Sequence, residues 1–149
     1  MALLLNDDDM NRMLEEIRPE GEQYIGKAWG TITGGTARIL SLGALSNVSC
    51  YVGVTDRSLV IAVMGTFDIT QVSRGLCIPF DRIEQVKIRQ GLLPSQKMIR
   101  LKTEGKSLKL SLIHNPVTAR VKNQKEGIQK ICEALAEPAG FGTPGLNPR

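Results

Sequence analysis

Apolar residues recur along this chain in two rhythms, and each change of rhythm marks a change of element. Between Asn6 and Ile17, the residues Met10, Met13, Leu14 and Ile17 fall at i, i+3, i+4 and i+7, which is one face of a helix. The Asn/Asp cluster from Asn6 to Asp9 suits the electropositive start of such a helix, and Pro19 with Gly21 stops it. A short amphipathic helix is therefore predicted. Its stripe needs cover, either from the remainder of the chain or from a neighbouring molecule.

From Glu22 to Leu112 the period falls to two. Gln23 to Thr33, interrupted by Gly26 and Gly30, reads as a first strand or bent hairpin leading to a turn at Gly34-Gly35. Ala37 to Ala44 is apolar without a clear period and fits strand or loop. Cys50, Val52 and Val54 alternate on one face, Thr55-Asp56-Arg57 turns tightly, and Leu59, Ile61 and Val63 resume the alternation, so the pair predicts a hairpin. Thr70 to Pro79 is the next strand, and Pro79 marks its end or a sheet edge. Ile83 to Arg89, Met98 to Lys102 and Leu108 to Leu112 then give three successive strands with one shared character. Val86, Ile88, Ile99, Leu101, Leu108, Leu110 and Leu112 face inward, while Lys87, Arg89, Arg100, Lys102 and Lys109 face outward.

Helical spacing returns after Asn115, a suitable N-cap, and Pro116, a suitable first helical residue. Val117, Val121, Ile128, Ile131, Cys132 and Leu135 form its stripe. Gly127 weakens this helix by about 1 kcal/mol relative to Ala, so packing has to hold it. The pattern divides the chain into an N-terminal helix and linker (1–21), a mainly β domain ending in a helix (22–136) and a Pro/Gly-rich tail (137–149) that has little to bury.

Composition narrows the picture. A chain of 149 residues, 42% hydrophobic, is long enough for a single core. Aromatic residues make up only 4%, so that core is built from Val, Ile, Leu and Met around Trp29, Phe67 and Phe80. Cys50, Cys77 and Cys132 lack CxxC spacing, which points away from disulfides and zinc and toward a reducing, cytoplasmic setting. Ala2 to Leu5 is too short for a signal peptide or a membrane span, and a soluble protein is expected. The net charge of +4 hides a split: Asp7 to Glu22 carries seven acids and two bases, whereas Arg82 to Lys130 carries 12 bases and three acids. Such asymmetry can attract phosphates, anionic lipid or the chain's own acidic end.

About seven short strands followed by one amphipathic helix resemble the pleckstrin-homology (PH) superfold. The segment from Tyr51 to Ile61, with Thr55-Asp56-Arg57, is similar to the "lTdrrLi" hairpin of bacterial PH-like and GRAM-like (YokE-like) domains. Ile78-Pro79-Phe80-Asp81-Arg82-Ile83-Glu84-Gln85-Val86 is similar to their "IPyddI.sV" strand, and Gly91-Leu92-Leu93 to the "GLL" turn after it. Together these cover about Glu22 to Leu135. The resemblance implies a mainly β, seven-stranded antiparallel PH-like barrel closed by a C-terminal helix, and a binding or assembly module without catalytic residues. It also implies homo-oligomers, ring-like or otherwise. Phosphoinositide-binding PH domains place a basic cluster between their first two strands, whereas Gly34 to Asn47 offers only Arg38.

Candidate chemistry agrees with a non-enzymatic reading that needs no cofactor. His114, the single histidine, stands at the junction of the last strand and the helix, where capping suits it better than general-base work. The three cysteines occupy apolar positions and read as buried, inert thiols. Asp7-Asp8-Asp9 does not converge on one point as metal ligands must, and Gly34-Gly35 lacks the spacing of a phosphate loop. Two features remain. The cations Lys87, Arg89, Arg100, Lys102 and Lys109 form either a solvated surface or a site for an anionic partner. Nucleic acid is disfavoured there, because no aromatic residue is interleaved to stack bases. The stripe Met10, Met13, Leu14 and Ile17 predicts self-association, with the acidic helix docking on a neighbour's basic sheet or barrel. The alternative is a peripheral membrane adaptor that lays its basic face on anionic lipid.

Overall fold

The structure is a computed structural model. It describes residues 5–32, 48–64, 72–91, 96–103, 106–114, 119–120 and 122–136. The expectations for Ala37 to Ala44, Val117, Val121 and the tail from 137 lie outside the described residues.

The elements run in chain order β1 (Leu5–Asn6), α1 (Asp7–Glu16), β2 (Gly26–Ile32), β3 (Val48–Val54), β4 (Ser58–Met64), β5 (Val72–Pro79), β6 (Ile83–Gln90), β7 (Gln96–Thr103), β8 (Lys106–Ile113), β9 (Ala119–Arg120) and α2 (Gln124–Ala136). β2 to β8 form one seven-stranded sheet in the order β5-β4-β3-β2-β8-β7-β6, and its pairings are all antiparallel. Seven antiparallel strands and a following helix are the element order that the sequence predicts. β1 and β9 add a two-residue parallel pair that ties the two helical ends of the chain together.

The sheet differs from the expected barrel by remaining open, with β5 and β6 as its two edges. The reason lies in the corner between them. Pro79 has no N–H for a ladder, a single 3-10 turn occupies Phe80–Arg82, and the Phe80 amide donates instead to the Arg57 carbonyl at 2.8 Å. The Thr55-Asp56-Arg57 turn is held by its own side chain. Thr55 Oγ1 accepts from the amides of Arg57 at 3.0 Å and Ser58 at 2.9 Å and donates to Glu22 Oε1 at 2.6 Å. The two segments that carry the family resemblance therefore meet at one corner and do structural work there.

Inward-facing residues build the main core. Ala28, Val52, Ile61, Leu101, Leu108, Leu110 and Leu112 pack with Ile128, Ile131 and Leu135 of α2. α2 begins at Gln124, later than Pro116, because Ala119–Arg120 pair with the N-terminal strand before the helix can start. Gly127 explains how closely α2 lies on the sheet: a Cβ there would collide with the backbone carbonyl of Lys27 in β2. The residue that lowers helix propensity is the one that lets helix and strand touch.

The opposite face of the sheet has two unlike sectors. Over β2 to β4, outward Trp29, Tyr51, Val60 and Ala62 are apolar, and Met10, Met13 and Leu14 of α1 bury them in a second cluster. The stripe thus finds its cover in the chain's own sheet, the first of the two covers it could have taken. Ile17, partly buried, reaches β5, where it rests on Gly75. Over β6 to β8 no described element covers the same face, except at the end of β8, where Ile113 packs against the second cluster.

Candidate functional site

The sector over β6 to β8 carries the cations that strand alternation places outward. Register aligns Lys87 on β6 with Arg100 on β7 and Lys109 on β8, a row of three positive residues across three strands. With neighbouring strands about 4.8 Å apart, the row spans roughly 10 Å at the backbone. Arg89, Met98 and Ser111 form the next row toward one end, and Gln85, Lys102 and Ser107 the next toward the other. Lys87, Arg89, Arg100 and Lys102 are exposed and Lys109 half-buried. A cleft of about 260 Å³ collects Lys87, Arg89, Met98, Arg100 and Lys109. Lys102 shares the face but stands outside the cleft.

None of the four ion pairs found among the described residues involves these five side chains. Those pairs lie elsewhere. On α1, Arg12 bridges Asp9 at 3.3 Å and Glu16 at 3.5 Å, and Arg18 bridges Glu15 at 2.7 Å. The hydrogen bond from Arg18 holds the Glu15 carboxyl below its ordinary range. The outer side of α1 keeps Asp8, Glu15 and Glu16 exposed, so one sector of the sheet's outer face is basic and the other is roofed by an acidic helix.

Two further clefts flank α2. One, of about 470 Å³, lies between α1, the start of β2 and the start of α2, and mixes Asp7 and Glu126 with Lys27, Lys122 and Lys130. There Lys27 Nζ donates to Asn11 Oδ1 at 2.7 Å and stands 5.5 Å from the centre of the Tyr24 ring. The other, of about 580 Å³, is lined by Lys97, His114, Lys125, Ile128, Cys132 and Glu133.

Gln124 was not singled out by sequence reasoning, yet it controls how the basic strands join the rest of the sheet. Among the described residues β2 and β8 pair only at Thr31–Ser111 and Ile32–Leu110. Beyond that point the buried Gln124 amide lies between the strands like an extra peptide unit. Its Oε1 accepts from the Trp29 amide at 3.0 Å, and its Nε2 donates to the carbonyls of Trp29 and Ile113, each at 2.9 Å. A polar residue at a helix start carries no sequence signal for such a role. The second apolar cluster did carry one: Leu59-Val60-Ile61-Ala62-Val63 is apolar at every position, the mark of a strand covered on both faces.

The thiols divide. Cys50 is fully buried, and burial pushes it up to about 12; Cys132 is partly buried and pushed up to about 11. Cys77 corrects the expectation of three buried thiols. It pairs with Val60 on the outward side of edge strand β5 and is exposed. Among the described residues no group of three His, Cys, Asp or Glu side chains could hold a metal ion, and no helix is long and apolar enough to cross a membrane.

No family model and no curated protein matches the sequence. Solved structures do match the fold. The C-terminal domain of an unknown protein from Leishmania infantum superposes with a TM-score of 0.52 at 11% identity, covering 84% of this chain and 93% of that one. The hSac2 domain of the human phosphoinositide phosphatase Sac2 gives 0.51 at 15% identity, covering 89% and 79%. The N-terminal PH domain of Vps36 gives 0.44 at 14% identity, covering 78% and 86%. At such identities the likeness concerns architecture alone.

Proposed function

We propose that this chain is a non-enzymatic protein-interaction module that receives an anionic partner on the outer face of β6, β7 and β8. The observation that carries the reading is the row Lys87–Arg100–Lys109, which faces solvent with Arg89 and Lys102 beside it. Holding like charges this close is unfavourable until an opposite charge arrives, so the row is a standing attraction for acidic groups. A protein surface fits better than a bilayer. The one large hydrophobic residue found exposed among the described residues, Ile25, lines the cleft between α1 and α2, away from the cations of that row.

Self-association is one form this can take. Because the apolar stripe of α1 is buried at home, what α1 offers a second copy is its acidic outer side, complementary to the basic sector. The Thr55–Arg57 and Ile78–Asp81 segments support placing the module with bacterial PH-like domains, and three free thiols accord with a reducing, cytoplasmic setting.

The test uses polyglutamate and two kinds of vesicle as probes. The full chain is expected to bind polyglutamate at low salt and release it as ionic strength passes physiological, where charges are screened beyond about 8 Å. A Lys87→Glu/Arg100→Glu/Lys109→Glu variant with an unchanged circular dichroism spectrum should not bind. Anionic and neutral vesicles should sediment the protein equally. Capture by anionic vesicles alone would overturn the protein reading in favour of the membrane one. A molar mass by light scattering that falls with added salt would identify a second copy as the partner.

A further inference from the structure

The cleft between α1, the start of β2 and the start of α2, about 470 Å³, has the size of a small-molecule site and shares no residue with the cleft of the basic row. Its back is formed where β2 and α2 touch. A Cβ on Gly26 would stand 2.7 Å from the Cβ of Lys130, and one on Gly127 would collide with the Lys27 carbonyl. The stem of Lys130 therefore lies against Gly26 while it lines the cleft.

Two kinds of group surround this space. Lys27, Lys122 and Lys130 stand against Asp7 and Glu126, so three ammonium groups meet two carboxylates and leave one positive charge in excess. None of the five enters an ion pair found among the described residues. Asp7 is engaged by backbone, its Oδ2 accepting from the Lys122 amide at 3.1 Å. Lys27 donates to the neutral Asn11 Oδ1 at 2.7 Å and stands 5.5 Å from the centre of the Tyr24 ring, which fixes its charge in place without neutralising it. The apolar groups are Met10, Tyr24 and Ile25, and Ile25 is 53% exposed. An exposed isoleucine beside fixed cations gains from a ligand that combines both characters.

We propose that this cleft binds a small organic monoanion, a carboxylate with a short alkyl arm, its charged end on Lys27 and Lys130 and its arm on Ile25. One excess positive charge sets the class. A single carboxylate balances the lining, whereas a dianion such as a phosphoryl group would bring its second charge against Asp7 and Glu126. The arm gives the selectivity, because a carboxylate without one leaves Ile25 in water.

Hexanoate titrated into the full chain, with backbone amide shifts followed by two-dimensional NMR, tests the assignment. Saturable shifts are expected at Gly26, Lys27 and Gly127. Hexanoate should bind at least about tenfold more tightly than acetate, since each buried methylene group is worth up to about fourfold. Hexanol, which lacks the charge, and norleucine, the same acid with an added ammonium group, should each bind at least about tenfold more weakly than hexanoate. Lys27→Met/Lys130→Met, which keeps the apolar stems, should lose hexanoate, and Ile25→Ser should make hexanoate and acetate bind alike. Equal binding of hexanoate and hexanol would overturn the anionic end, and norleucine binding as tightly as hexanoate would overturn the monoanion. Shifts confined to β6, β7 and β8 would overturn this site and leave the proposed function standing; the absence of any saturable shift would overturn the site outright.

Discussion

Gln124 shows how much one side chain can hold at the join between two halves of a sheet. Its amide satisfies three backbone groups where β2 and β8 separate. Replacing it by leucine takes this partner from the buried Trp29 N–H and C=O and from the part-buried Ile113 C=O, and a buried polar group left unmade costs about 1–3 kcal/mol. Gln124→Leu is expected to lose at least about 3 kcal/mol of stability in urea titration; a loss under about 1 kcal/mol would mean that the strands close on themselves without it. Thiol chemistry gives a second check at this scale. Cys77 should be alkylated rapidly in the native protein, Cys132 slowly and Cys50 only on unfolding, as read by mass spectrometry. Cys50 also links stability to pH. Its folded value of about 12 lies above the ordinary 9.0, so the folded state keeps a proton the unfolded chain gives up. That contribution is whole below pH 9 and is lost as pH rises toward about 12.

At the scale of elements, both helices are held by what they touch more than by what they are. α2 contains Gly127 where alanine would favour the helix by about 1 kcal/mol. Even so, Gly127→Ala should destabilise the protein, because the added methyl group meets the Lys27 carbonyl and lifts α2 off β2. A raised melting temperature for that variant would show that the contact is looser than it stands here. α1 offers the complementary experiment. Leu14, fully buried against Trp29, Tyr51 and Val60, should cost about 3 kcal/mol when cut to alanine, with a red shift of Trp29 fluorescence as water reaches the cluster. An unchanged spectrum would separate α1 from the sheet. Gly53 has the same logic as Gly127, because it leaves room for the Tyr24 ring, whose hydroxyl donates to the Leu14 carbonyl at 2.7 Å.

The whole molecule is a sheet with one outer face and two treatments of it. Where that face is apolar, an acidic helix covers it; where it is basic, no described element does. This division makes the salt dependence of binding a property of one sector. Charge reversal at Lys87, Arg100 and Lys109 should abolish polyglutamate binding while leaving urea stability within about 0.5 kcal/mol, the usual range for surface changes. A large loss of stability would recast the row as a structural feature of the sheet.

Local alternation and helical spacing sufficed to order seven strands and two helices, and to set Lys87, Arg89, Arg100, Lys102 and Lys109 on a single side. Each of these depends on period, which neighbouring residues dictate through backbone geometry. Other features depend on pieces far apart in the chain: the open edge at β6, the cover that α1 gives to Trp29 and Tyr51, the late start of α2 and the place of Gln124 between strands. Their cause is contact between segments far apart in the chain, such as Trp29 and Gln124 at a separation of 95 residues, and no local pattern encodes which distant carbonyl a side chain will meet.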